Sequence, residues 1–265
     1  MSITDLETET VLSIEDLKKS YGETQILAGL NFEVSKGEFV CIVGPSGSGK
    51  TTLLRSIAGL QEPSSGRTVF EGQEVTRPPE KLAVVFQDYS RSLLPWLRVK
   101  ENIALPIRGL IPAKELQQRV SEALKSVGLE GKGELYPWQM SGGMQQRAAI
   151  ARGLAYNPEV LLMDEPFAAV DAQTRIELED LVLRLRDEYD TTVLFVTHDI
   201  DEAVYLADRV LVLSGAPTTV NKNIKVELAQ PRDQIATKRD PLYGELREQV
   251  FDLIHSARSH ASINN

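Results

Sequence analysis

One short run constrains this chain more than any other feature. Gly44-Pro45-Ser46-Gly47-Ser48-Gly49-Lys50-Thr51-Thr52 follows the apolar segment Phe39–Val43 and opens a helix-like stretch, Lys50 to Ala58. This is the pattern of a phosphate-binding loop held between a strand and a helix. Gly44, Gly47 and Gly49 let the backbone curl with its N–H groups inward, where a side chain would block an anion. The helix that follows offers unpaired N–H groups and the positive end of its dipole to the same anion. Lys50 supplies a mobile charge for β- and γ-phosphates. Thr51 supplies a hydroxyl for Mg²⁺, an ion that takes few protein ligands and keeps several waters.

Composition narrows the partners. The 265 residues are 42% hydrophobic and 25% charged, as in ordinary globular proteins. The net charge is −9 and there is no dense basic block, which argues against a nucleic-acid backbone as the main partner. The single cysteine, Cys41, lies in the apolar run before the loop and reads as a small buried hydrophobe. Without a second cysteine no internal disulfide forms, which suits a reducing cytosol. Met1 to Glu9 is polar and acidic, without the basic start and apolar core of a secretory signal. No apolar run approaches the roughly 18 residues that span a bilayer, so the chain is not expected to enter a membrane by itself.

The order of elements predicts an α/β fold with a mainly parallel sheet. Residues 11–40 are β-rich, with runs at Val11–Ile14 and Leu30–Val34 and turn signals at Tyr21-Gly22 and Lys36-Gly37. Further strands are expected at Thr68–Phe70, Leu82–Phe86, Val160–Met163, Thr192–Val196 and Arg209–Leu213. Val160–Met163 and Thr192–Val196 are almost uniformly apolar, as strands covered on both faces are. Leu178, Leu181, Val182 and Leu185 recur at helical spacing between strands. Between about 88 and 158 the texture turns helical, with an amphipathic stretch at Lys114–Val127 and another at Ser141–Tyr156 capped by Ser141. The main domain is expected to cover 10–215, followed by a polar tail, 216–265. In the tail, Leu246, Val250, Phe251 and Ile254 form one short docking helix and His255 to Asn265 fray.

A second chemical motif lies downstream. Val160–Met163 runs straight into Asp164-Glu165. Neighbouring strand residues point oppositely, so the two carboxylates take different tasks. Asp164 is placed to hold Mg²⁺, directly or through water, and Glu165 to polarise an attacking water.

These motifs together resemble the nucleotide-binding subunit of an ATP-binding-cassette transporter over roughly residues 12–215. Met140-Ser141-Gly142-Gly143-Met144 stands where that family carries Leu-Ser-Gly-Gly-Gln, with both outer positions changed and Ser141, Gly142 and Gly143 intact. The resemblance implies a P-loop core of the RecA-like kind, an N-terminal antiparallel β subdomain and an inserted helical subdomain. It implies ATP and Mg²⁺ as ligands. It makes Gln87 the switch glutamine that meets Mg²⁺ and water. It makes His198, after the strand Thr192–Thr197, the γ-phosphate sensor, and Tyr21 the ring that stacks on adenine. A core or turn tyrosine is the alternative for Tyr21. Ala168-Ala169-Val170-Asp171 resembles the loop that meets the opposite subunit. The implied mechanism is a head-to-tail dimer, with ATP between Gly44–Thr52 of one copy and Ser141–Gly143 of the other.

The wording Phe86-Gln87-Asp88, then Leu93-Leu94-Pro95-Trp96-Leu97, then Glu101-Asn102-Ile103 resembles one branch, the importers of nitrate, sulfonates, taurine and bicarbonate. That implies integral membrane permease subunits as partners, a solute-binding protein acting indirectly, and a place on the cytoplasmic face of the cell membrane. The run Ser92–Leu97 has two readings, core packing of the helical insertion or a partly exposed groove for a helix of the membrane subunit. A soluble cassette ATPase with a regulatory role, and an ATPase serving another substrate, remain alternatives. A different P-loop enzyme such as a small-molecule kinase fits less well, because Ser141–Gly143 and His198 are in register.

Overall fold

A computed structural model describes residues 9–88 and 92–263, with side chains through 257. All of Met1–Glu9 except Glu9, and the last two residues, lie outside the described part. Two sheets form the frame. The first is antiparallel and contains β1 (Thr10–Tyr21), β2 (Thr24–Ser35), β4 (Ser65–Phe70) and β5 (Gln73–Glu74), in the order β2-β1-β4-β5. The second has the order β10-β9-β3-β8-β7-β6. Its strands are β3 (Phe39–Val43), β6 (Leu82–Val85), β7 (Val160–Asp164), β8 (Thr192–Val196), β9 (Arg209–Leu213) and β10 (Val220–Lys225). All its neighbours run parallel except β10, which returns antiparallel along β9.

The parallel strands separate two cores by simple alternation. Phe39, Cys41 and Val43 face one core together with Leu161, Met163, Val193 and Phe195. Val40 and Ile42 face the other with Leu162, Leu194, Val196 and Leu211. Helix α1 (Lys50–Ile57) buries Leu53, Leu54 and Ile57 in the second core, beneath the antiparallel sheet. Burial on both faces is what the uniformly apolar strands require.

The helical insertion contains α2 (Val99–Ala104), α3 (Ala113–Ser126) and α4 (Gly142–Ala155). Its apolar residues, among them Ile103, Val120, Leu124 and Ile150, belong to the first core. Helix α5 (Ala172–Tyr189) and helix α6 (Ile200–Leu206) cover the same side.

The tail corrects the sequence reading in two ways. It contributes β10 to the main sheet, a strand with no apolar signal because only Ile224 is buried there. After a single turn, α7 (Ala236–Arg239), its helix α8 runs from Pro241 to Ile263, 23 residues rather than one short segment, so the backbone is helical where fraying is expected. Leu246, Val250 and Ile254 are buried at four-residue spacing, but Phe251, expected on the same face, is 54% exposed.

Candidate nucleotide site

The site forms where the parallel strands end. In an open α/β sheet, ligands bind at the carboxyl ends of the strands. Here β3 leads into Gly44–Thr52, β6 leads to Gln87, β7 ends at Asp164, and β8 leads to His198. Register sets their heights. Asp164 pairs with Val196, and Val196 pairs with Ile42. Two further backbone bonds extend the match, Glu165 N–H to Val196 at 2.8 Å and Thr197 N–H to Ile42 at 3.1 Å.

The loop has the geometry a phosphate needs. Gly47 and Gly49 have φ of 77° and 78°, the left-handed region that glycine enters without penalty. A Cβ at Gly49 would lie 2.6 Å from Ile26 Cγ2, so the loop is pressed against β2 with no room for a side chain. Ser48 Oγ is buried and has no hydrogen-bond partner among the described residues, which leaves it open to a ligand. Lys50 Nζ donates to the carbonyls of Gly44 and Pro45 at 3.0 and 3.1 Å, folded along the loop it serves. Tyr21, Ile26, the loop 46–52, Glu165 and His198 line one open cleft of about 580 Å³, within the range of small-molecule sites. Tyr21 is 53% exposed at its mouth, with Lys19 Nζ 5.5 Å from its ring centre, so it is not a core tyrosine.

The two carboxylates have different neighbours. Asp164 is buried and accepts from Thr51 Oγ1 at 3.4 Å. Burial, with a smaller contribution from the charge of Glu165, raises its pKa against the opposing hydrogen bond of Thr51. A hydroxyl beside a desolvated carboxylate, with phosphate oxygens adjacent, is the hard-oxygen donor set that suits Mg²⁺. A cation there would relieve the charged form of Asp164. Glu165 has φ of 43°, strained for a residue with a Cβ, of order 1–3 kcal/mol. His198 Nδ1 stands 3.0 Å from Glu165 Oε2, and Gln87 Nε2 approaches the same oxygen at 3.2 Å.

The remaining predicted residues sit elsewhere. Ser141 caps α4, its hydroxyl accepting from the Met144 N–H at 3.3 Å, and Gly142 and Gly143 form the first turn. None of the three lines the cleft. Asp171 caps α5, accepting from the Thr174 N–H at 3.0 Å and the Thr174 hydroxyl at 2.7 Å, and these bonds lower its pKa. Gly143 and Thr174 abut so closely that a Cβ on Gly143 would lie 2.5 Å from Thr174 Cγ2. The two helix starts are thus locked together, apart from the loop-and-carboxylate group.

The family model for ABC transporters matches residues 27–168, which span the loop, the glutamine, the helical insertion and the two carboxylates. The chain belongs to the ABC transporter family. It carries that family's ATP-binding, ATP-hydrolysing cassette. It is 41% identical to the aliphatic sulfonates import ATP-binding protein SsuB of Bacillus cereus, over 91% of this chain and 94% of that one. It is 42% identical to the nitrate import ATP-binding protein NrtD of Synechococcus elongatus, over 87% and 85%. Among solved structures it resembles a dimeric ATP-binding cassette in a post-hydrolysis state with ADP and Pi bound, at TM-score 0.71 and 35% identity, over 81% of this chain and 98% of that one.

Sequence reasoning missed the residues behind His198. Thr197 Oγ1 donates to Glu202 Oε2 at 2.5 Å, and Arg175 Nη1 donates to Asp199 Oδ2 at 3.0 Å. Glu202 is 4% exposed, and burial pushes its pKa up to about 7. The available signal was a pair of acidic residues, Asp201 and Glu202, in the first turn of a helix whose other residues, Ile200 and Ala203–Leu206, are apolar or aromatic.

Proposed function

We propose that this cassette works as one of two ATPase subunits that drive a membrane permease importing a small anion. The observation that carries the reading is the split of the site. The loop, Glu165 and His198 line one cleft, with Asp164 joined to it through Thr51 and Gln87 through Glu165, while Ser141–Gly143, a second set of N–H donors at a helix start, are not among its lining residues. Such donors reach a phosphate only if another copy supplies the nucleotide. A head-to-tail pair places two ATP molecules between loop and helix start, and the likeness to a dimeric cassette supports that arrangement.

In this reading Tyr21 stacks on adenine, a contribution of roughly 1 kcal/mol. The N–H groups of 44–52 and Lys50 hold the phosphates, and Asp171 meets the opposite copy. Thr51, Asp164 and Gln87 would hold Mg²⁺, which neutralises developing charge on the phosphate oxygens. Glu165 takes the proton of the attacking water, and His198 orients Glu165 and meets the γ-phosphate. ATP favours the closed pair, and loss of the γ-phosphate releases it.

The import role and the anion class draw on relatives named for sulfonate and nitrate import. No helix among the described residues is long and apolar enough to cross a membrane. In this reading a separate permease supplies the pore. Placement on the cytoplasmic face of the cell membrane follows from that partnership. Trp96 is 69% exposed, beside the buried Leu93, and is the surface we assign to the permease. Affinity purification of the tagged full chain from membranes, with mass spectrometry, tests the reading. A permease and a solute-binding protein are expected. Uptake assays in a deletion strain with nitrate, bicarbonate, taurine and alkanesulfonates test the anion class, and normal uptake of all four would refute it.

A further inference from the structure

His198 is flanked by two residues that are not free to move. The Asp199 N–H donates to Thr197 Oγ1 at 3.0 Å, and Thr197 Oγ1 donates in turn to the buried Glu202. Asp199 Oδ1 accepts from the N–H groups of Asp201 and Glu202 at 2.9 and 3.2 Å, closing the first turn of α6. Both carboxylates then meet one guanidinium. Arg175 Nη1 donates to Asp199 Oδ2 at 3.0 Å, and Arg175 Nε lies 3.5 Å from Glu202 Oε1, an ion-pair distance rather than a hydrogen bond. Arg175 stands in the first turn of α5, its N–H bonded to the Asp171 carbonyl at 2.9 Å. It does not line the cleft.

A histidine in a loop has no rigid element of its own to fix its direction. Its neighbours supply one here. Two carboxylates close together repel each other, and the guanidinium beside them holds Asp199 by a hydrogen bond and Glu202 by charge alone. Without it, Asp199 and Glu202 would lose their shared counter-charge, and the two side chains that brace the backbone at 197–199 would be less firmly placed. The imidazole would then drift from Glu165 Oε2, and small misplacements of reacting groups carry large rate penalties.

We propose that Arg175 is a positioning residue for ATP hydrolysis, holding His198 against Glu165 through Asp199 and Glu202. This rests on the assignment of His198 to the hydrolytic site.

Two measurements on the full chain test it. The first is steady-state ATP hydrolysis by wild type, Arg175→Ala, Arg175→Lys and His198→Ala. Arg175→Ala should lower kcat by about 10–100-fold with little change in KM for ATP, because the loop that binds the phosphates is untouched. Arg175→Lys, which keeps the charge, should recover part of the loss. The second is the NMR spectrum of histidine labelled with nitrogen-15. The chain has three histidines, and His255 and His260 serve as internal references. Glu165→Gln should move the His198 ring signals, and Arg175→Ala should move them too, leaving the references in place. Unmoved His198 signals in Arg175→Ala, or a wild-type kcat, would overturn the proposal. If Arg175→Ala does not fold, Arg175→Gln and Arg175→Lys carry the same comparison. Wild-type turnover in His198→Ala would instead remove the site assignment, and the proposal with it.

Discussion

His198 and Glu165 meet at 3.0 Å although they come from the ends of different strands, 33 positions apart. Gln87 shares the same oxygen of Glu165 at 3.2 Å. One carboxylate oxygen thus holds two orienting partners, and neither contact engages the other oxygen, which can face an attacking water.

Glu165→Gln keeps the shape of that contact and removes the proposed base. Turnover should fall by roughly 10²–10⁴, while ATP binding persists. Phosphate release and a binding titration measure the two separately. Near wild-type turnover would remove Glu165 from this role.

In the proposed head-to-tail pair, Lys50 and Ser141 act on nucleotide from different copies. Lys50→Ala should weaken ATP binding to the monomer by about 10–100-fold, the loss of a charge-assisted contact. Ser141→Arg should leave monomer binding within about twofold of wild type and abolish hydrolysis, since its contact is made across the pair. Isothermal titration of both variants decides the matter. Equal weakening would place both residues on one nucleotide.

Leu93 and Trp96 lie three residues apart on opposite sides of the surface. Leu93 is 1% exposed and Trp96 is 69% exposed. Leu93→Ala should cost about 2–5 kcal/mol of stability. Trp96→Ala should stay within about 1 kcal/mol and keep its ATPase activity, yet lose association with the permease. Denaturant melts and co-purification test the pair. A large loss of stability in Trp96→Ala would end its role as a docking surface.

Glu202 gives the fold a pH dependence. Burial raises its pKa from 4.5 to about 7, so the folded state holds the proton more tightly than the unfolded chain. The stability this contributes is present below pH 4.5 and is lost as pH rises through about 7. Across that window the loss is about 3 kcal/mol. Glu202→Gln, always neutral, should therefore gain on wild type between pH 5 and pH 8. Melts at both values test this, and a constant difference between the two proteins would contradict it.

The loop and the Asp164-Glu165 pair were legible in the sequence because each is contiguous and chemically specific. Their convergence was legible because parallel strands bring their carboxyl ends to one edge. Strand β10 was not. Val-Asn-Lys-Asn-Ile-Lys at an edge buries only Ile224, so it shows neither alternation nor an apolar run. The apolar stripe of α8 was visible, but its length was hidden by a polar outer face. Pro241 at its first position was the overlooked start signal. The clamp of Arg175 on Asp199 and Glu202 joins two helices 24 positions apart, and ion pairs of that kind leave no periodic trace.

The central claim is that the hydrolytic site is divided between two copies. Light scattering of Glu165→Gln with ATP and Mg²⁺ tests it most directly. The mass should rise from 29.4 kDa to twice that with ATP and remain at 29.4 kDa with ADP or when Ser141→Arg is added. A monomer in ATP, or a dimer indifferent to Ser141→Arg, would contradict the account.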